Sequence, residues 1–302
     1  MKKNILFLLT LALGAVFFCG CSEDDLRDKS SIRDTTTEKN ELDLWLDANY
    51  LNTYNINFQY RIKDIWSDLD YNLAPASYEN SIRMAKLTLH LCLNAYDEVT
   101  GNREFMRTYF PKIVHLIGSP AVNMNNTIVL GTAEGGKMMT LYMINNLPQW
   151  MPTSENPDQK VEMDLLNEYF FHTMHHEFAH ILHQTIPYSN DFNSISGAGY
   201  IGDNWSSAYN NQTAQQNGFI TAYASKAVDE DFVECYATYI TTPASDWNSM
   251  ISAAGNGGSI ISRKMDVVRE YMKTTFGIDV DEMRKVVLRR QGEILSLDLD
   301  NL

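Results

Sequence analysis

Phe171-His172-Thr173-Met174-His175-His176-Glu177-Phe178-Ala179-His180 is the stretch on which the reading of this chain turns. His-Glu-x-x-His occupies 176–180. On a helix, positions four apart are separated by about 40° around the axis, so His176 and His180 can both turn an imidazole to one metal ion. Glu177 is offset from both and can address a water on that metal rather than the metal itself. Its apolar neighbours Phe170, Phe178, Ile181 and Leu182 speak for a buried helix, not a wet histidine-rich surface. Two imidazoles leave a catalytic zinc one protein ligand short. A scheme with a third His six residues beyond His180 and a Gly midway fails, because Ile186 and His183 stand there. The remaining source is a carboxylate from a later helix. Glu230-Asp231-Phe232-Val233-Glu234 carries two acids at i and i+4 on one face. A helix start favoured by the macrodipole accounts for Asp229 and Glu230, but less well for Glu234, a turn deeper among Phe232, Val233 and Tyr236.

Outward from the motif, periodicity predicts one helix from 162 through 183, stopping before Pro187. Upstream lie a short helix over 41–51, a strand alternating Ile56, Phe58, Tyr60 and Ile62 with polar residues, and a long helix over 78–99 ended by Gly101. A strand follows at 113–118, and Ala133-Glu134-Gly135-Gly136 signals a hairpin between 127–132 and 137–145. Downstream, 188–217 is rich in Asn, Ser, Gly and Gln and reads as a long loop, a kind usually functional. Helices are expected over 228–241, near Trp247, over 260–276 and over 280–295.

His175-His-Glu-Phe-Ala-His-Ile-Leu-His-Gln184, Leu130-Gly-Thr-Ala-Glu-Gly-Gly136 and Glu230–Glu234 together resemble a zinc-binding metallopeptidase family, the substrate import-associated zinc metallohydrolase lipoproteins that accompany SusC/SusD-type uptake loci. The resemblance spans about 42–295. It implies an α+β, zincin-like fold, with a small mixed β-sheet and the active-site helix in the first half and a mainly helical second half. It also implies a single Zn2+. In Glu-zincin enzymes the first acid of such a later segment is the ligand and the acid four on orients a ligand imidazole. That implies Glu230 on the metal and Glu234 behind it, with Glu234 the alternative ligand. Thr221-Ala222-Tyr223, seven residues ahead of Glu230, is similar to a segment of anthrax lethal factor whose tyrosine faces the metal. Tyr223 is thereby implied as hydrogen-bond donor to the developing oxyanion, against the alternative of an ordinary core tyrosine. The implied reaction is peptide-bond hydrolysis by zinc-bound water, with Glu177 as base and then acid. Zincin folds pair an extended substrate with an edge strand just before the metal helix, and 137–145 is the nearest segment. Rival readings are a zinc amidohydrolase on a modified glycan, and a substrate-binding lipoprotein with a relict zinc. Trp205 and Tyr209 in the long loop suit a glycan or a peptide equally, and the expected substrate is a peptide or glycopeptide.

The N-terminus has a different task. Met1-Lys2-Lys3 followed by an apolar run to Phe18 reads as a secretory signal. It leads into Phe18-Cys19-Gly20-Cys21-Ser22, which resembles a bacterial lipobox with Cys21 as the lipidated residue. Ser22-Glu23-Asp24-Asp25 resembles the export signal of surface lipoproteins in gut bacteria. The expected organisation is a signal peptide over 1–20, a flexible tether over 21–40 and a metallohydrolase domain over 41–302. The expected location is the outer membrane, lipid-anchored and surface-exposed, with a SusC/SusD-type complex as partner. The chain's 302 residues are 44% hydrophobic and 21% charged, the composition of a globular protein. Lys and Arg number 24 against 38 Asp and Glu, a net −14 that repels phosphate backbones and argues against nucleic acid. Cys92 and Cys235 are too few for a disulfide framework and read as buried thiols.

Overall fold

A capping box opens the domain. The Asn40 side chain accepts from the Asp43 N–H and the Asp43 carboxylate from the Asn40 N–H, fixing the first turn of α1 (Glu41–Leu46). The computed structural model describes residues 38–63, 70–123, 128–149, 151 and 159–302. The chain divides into two units, Met1–Lys39 and Asn40–Leu302, and every element named below belongs to the second. The expected signal segment, Cys21 and the tether as far as residue 37 lie outside the described residues.

From α1 the chain continues through a π-turn, Asp47–Leu51, burying Leu42, Leu46 and Tyr50. β1 (Asn57–Gln59) is shorter than the alternation predicted, although Ile56, Phe58 and Tyr60 are all buried. The helix expected over 78–99 forms as α2 (Tyr78–Thr88), a π-turn at Leu89–Leu93 and α3 (Asn94–Thr100). It ends where Gly101 takes a left-handed φ of 74°.

β2 (Ile113–Leu116) follows, then a two-stranded pair, β3 (Ala121–Val122) and β4 (Ile128–Val129). The hairpin joins β5 (Gly131–Glu134) to β6 (Met138–Leu141), turning at Gly135 and Gly136 with φ of 54° and 68°. Strand order in the main sheet is β1-β2-β6-β5, with β1, β2 and β6 parallel and β5 antiparallel. This corrects one expectation. The strand within 137–145 is β6, paired on both sides and buried at all four positions, so it is no edge. The edge facing the helix that carries the His-Glu-x-x-His motif is β5. A hairpin signal alone does not say which arm is interior; here β5 is Gly-Thr-Ala-Glu and β6 is Met-Met-Thr-Leu, and only the pairing of β6 with β2 buries it.

α4 (Gln159–Leu166), a π-turn at Asn167–Phe171 and α5 (His172–Thr185) form the helix that carries the motif. Phe178 is fully buried on its inner side, edge-on to Tyr96, Phe105 and Phe110 at ring distances of 5.0, 5.9 and 5.2 Å. Such pairs add roughly 0.5–1.5 kcal/mol each beyond area burial, which fixes the rotation of α5. The segment 188–217 is not the loop expected. It holds short helices at Asp191–Ser196, Trp205–Ala208 and Asn211–Gln216, with 3-10 turns between. Each is too short for a helical period to show, and the longer two bury a single residue apiece, Phe192 and Ala214. α6 (Val228–Thr241) packs across α5, and α7 (Asn256–Phe276) and α8 (Val280–Gly292) pack behind it. The result is the α+β arrangement expected, with a small mixed sheet and a helical second half. Cys92 and Cys235 are buried free thiols.

Candidate active site

His172, His176, His180 and His183 run along one side of α5, spaced by four, four and three residues. Opposite them α6 presents Glu230 and Glu234, one turn apart. Where the helices cross, Glu230 Oε2 lies 3.3 Å from His176 Nε2 and 3.1 Å from His180 Nε2. Ligand atoms of the three residues all fall within 4.8 Å of one another. Two imidazole nitrogens and a carboxylate oxygen converging on one point suit a tetrahedral zinc with a fourth position open.

Protonation energetics agree with that fit. Burial would lower the His176 ring, yet its hydrogen bonds to the Glu230 and Glu234 carboxylates override it and push it up to about 10. Burial would raise the Glu230 carboxyl, but His176 and His180 hold it well below the usual carboxylate range. Acid and base share protons at the point where a dication would satisfy all three.

Each of these side chains has its own backing. His176 Nδ1 lies 2.7 Å from Glu234 Oε1, the carboxylate–histidine arrangement that directs the other nitrogen to a metal. Glu234 is buried, reached also by His172 Nε2 at 2.8 Å and by the Thr221 hydroxyl, which donates to Oε2 at 2.6 Å. Burial would raise this carboxyl, and the neighbouring His172 and His176 hold it well below its usual range. His180 is held differently. Its Nδ1 is 3.0 Å from Nε2 of His183, whose ring is pushed down to about 4 by burial and then by His180. A neutral His183 can accept a proton from His180 Nδ1, the tautomer that would leave His180 Nε2 free to bind a metal.

Glu177 follows His176 by about 100° and so leaves the ligand row. Burial raises its carboxyl, against the charges of His176 and His180, and the Ala133 N–H of β5 donates to it. The Tyr142 N–H donates to the Leu130 carbonyl at 3.3 Å, which sets the phase of the β5–β6 ladder. By alternation, Thr132 and Glu134 bond to β6 while Gly131 and Ala133 face outward. Gly131 brings that edge against α5, since a Cβ there would lie 2.8 Å from Thr173 Cγ2.

The Tyr223 hydroxyl donates to Glu230 Oε1 at 2.9 Å, and Trp205 packs edge-on against the Tyr223 ring at 5.0 Å. A cleft of about 990 Å³ opens over these groups, lined among others by Leu130, Gly131, His172, Glu177, Trp205 and Tyr223. Asp231, one residue past Glu230, points the other way. It forms a fully buried ion pair with Lys264 at 2.5 Å and accepts from the Tyr200 hydroxyl at 2.9 Å, tying the 188–217 segment to α6.

The structure therefore gathers His176, Glu177, His180, Tyr223, Glu230 and Glu234 at one place, while Cys21 lies outside the described residues. Sequence reasoning missed His172, His183, Thr221 and Lys226. For the two histidines a signal existed, their helical spacing from His176 and His180. Thr221 and Lys226 carried none.

Residues 35–281 match the family described as "Putative zinc-binding metallo-peptidase". No curated protein matches the sequence. Among solved structures, the crystal structure of a "putative zinc-binding metallo-peptidase" from Bacteroides caccae ATCC 43185 is similar at 39% identity and a TM-score of 0.71, covering 86% of this chain and 94% of that one. With the family match running from before α1 into α8, and residues that could hold a metal ion gathered on the helices inside it, the chain belongs to this zinc-binding metallo-peptidase family.

Proposed function

We propose that this chain is a zinc-dependent hydrolase of peptide bonds in which His176, His180 and Glu230 hold the metal and Glu177 moves the proton. The observation that carries the reading is the convergence of His176 Nε2, His180 Nε2 and Glu230 Oε2 beside a cleft that His176, Glu177 and Tyr223 line. When bound, zinc lowers the pKa of its water toward neutrality and polarises the scissile carbonyl. Glu177, its carboxyl raised by burial, takes the attacking water's proton and passes it to the leaving nitrogen. The Ala133 N–H holds that carboxylate in place, and Tyr223 donates to the developing oxyanion. An extended peptide suits the cleft because β5 is the end strand of the sheet among the described residues, with the backbone groups of Gly131 turned outward for antiparallel pairing. The same edge favours a peptide over a glycan-linked amide.

The test is a peptide library presented to the purified protein, with and without chelator, alongside Glu177→Gln. Chelator-sensitive cleavage is expected, falling by about 10²–10⁴-fold in the variant because positioned general-base catalysis is worth that much. Absence of cleavage by zinc-loaded protein would transfer the reading to the glycan amide.

The cellular setting belongs to the same proposal. Cys21 carries the lipid, Glu23-Asp24-Asp25 direct the protein to the outer face of the outer membrane, and a SusC/SusD-type uptake system is the partner. Cys21→Ala should abolish acyl labelling and release the protein from membranes. Persistent labelling would exclude Cys21 as the anchor.

A further inference from the structure

Glu230 shows its two oxygens to different partners. Oε2 faces the imidazoles of His176 and His180, as described above. Oε1 accepts from the Tyr223 hydroxyl at 2.9 Å and lies 3.5 Å from the Lys226 ammonium. Lys226 also donates to the Tyr223 oxygen at 3.3 Å, with Nζ 5.0 Å from the centre of that ring. Local backbone geometry brings this about. Tyr223–Ser225 is a 3-10 turn closed by the Lys226 N–H on the Tyr223 carbonyl at 2.9 Å, which places side chains 223 and 226 one above the other. α6 then starts at Val228 after an extended Ala227, and the Lys226 side chain reaches back to Glu230 in the first turn of that helix. The Gly202 N–H donates to the Lys226 carbonyl at 3.2 Å and fixes the turn from outside. Among the described residues lining the cleft, Lys226 is the sole Lys or Arg.

A phenol has one proton to give, and here Glu230 receives it. While that bond holds, Tyr223 cannot donate to an oxyanion. An ammonium has three protons, and Lys226 already touches both groups. We propose that Lys226 is a positioning residue that takes over Glu230 Oε1 when substrate arrives, keeping Glu230 a one-oxygen ligand and releasing the Tyr223 proton for the oxyanion. This rests on the zinc-hydrolase reading above. It carries a signature that structural damage does not share. A cation beside a ligand carboxylate opposes a dication, so its removal should tighten zinc binding while slowing turnover. A disturbed site would loosen zinc.

The test uses the full chain with Lys226→Met and Lys226→Arg, and reads zinc affinity by competition with a chromophoric chelator. A unit charge a few ångströms away in a largely aqueous dielectric predicts zinc about three- to tenfold tighter in Lys226→Met and within about twofold of wild type in Lys226→Arg. Unchanged or weaker zinc in Lys226→Met, with its circular dichroism intact, overturns the proposal. A wild-type protein that binds no zinc overturns it together with the zinc-hydrolase reading, so the two failures are told apart. On any peptide that wild type cleaves, Lys226→Met should lower kcat with KM little changed. In a Tyr223→Phe background it should add less than about twofold, because both substitutions then remove the same donation. Fully multiplicative losses would overturn the hand-over.

Discussion

Glu234 is the most informative single position for the proposed division between ligand and support. In Glu234→Gln the side chain keeps its volume but loses its charge, and its amide cannot accept everything now aimed at it. Three donors converge on the wild-type carboxylate, from His172 at 2.8 Å, His176 at 2.7 Å and Thr221 at 2.6 Å. Its loss frees the His176 ring to rotate and to change tautomer, and weakens the ring as a base toward metal. Partners of ligating histidines are typically worth about 10–100-fold in metal affinity. At about 1.4 kcal/mol per tenfold, that is roughly 1.4–2.8 kcal/mol. Glu230→Gln removes a ligand oxygen and should lose substantially more. Chelator competition on wild type and both variants measures the ordering directly. If Glu234→Gln loses more zinc affinity than Glu230→Gln, then Glu234 is the ligand and the assignment of the two acids is reversed.

Two stability predictions stand apart from the metal. His175 is fully buried against Tyr96, and burial pushes its ring down to about 3, so the folded state keeps it neutral while the unfolded chain protonates near 6.5. Stability should therefore fall as pH drops from about 6.5 toward 3. His175→Phe should flatten the metal-free profile by up to about 1.4 kcal/mol per pH unit in denaturant melts at pH 4–6, and parallel profiles would refute it. Lys264→Met strands the Asp231 carboxylate in the core, and breaking such a pair costs about 3–5 kcal/mol. Burial already pushes the Asp231 carboxyl up to about 6, so proton uptake by the folded state should shrink that cost below pH 6, and a pH-independent cost would count against it.

Legibility in the sequence followed the physics of each element. The 176–180 motif and the 230–234 acids were readable because helical spacing alone puts such groups on one face. Helix α6 matched its expected bounds, since Val228 to Thr241 is apolar on one side and bounded by polar turns. The sheet was legible as strands but not as an order, because β5 and β6 are a hairpin and only the pairing of β6 with β2 makes one of them interior. The helices of 188–217 stayed hidden because they are held by long-range contacts. Examples are the Ile201 N–H on the Ser225 carbonyl and Trp205 on Tyr223. His183 was legible as a residue but misjudged in role. Noted only as standing where the failed third-His scheme needs a Gly, it lies against the far nitrogen of His180.

The zinc site formed by His176, His180 and Glu230 stands or falls on metal content. Purified wild-type protein, dialysed free of loose ions and analysed by elemental mass spectrometry, should carry about one zinc per chain, since three protein ligands and one water complete a tetrahedral site. The double variant His176→Ala/His180→Ala should carry none while remaining folded by circular dichroism. Full zinc occupancy in that variant would place the metal elsewhere and contradict the account.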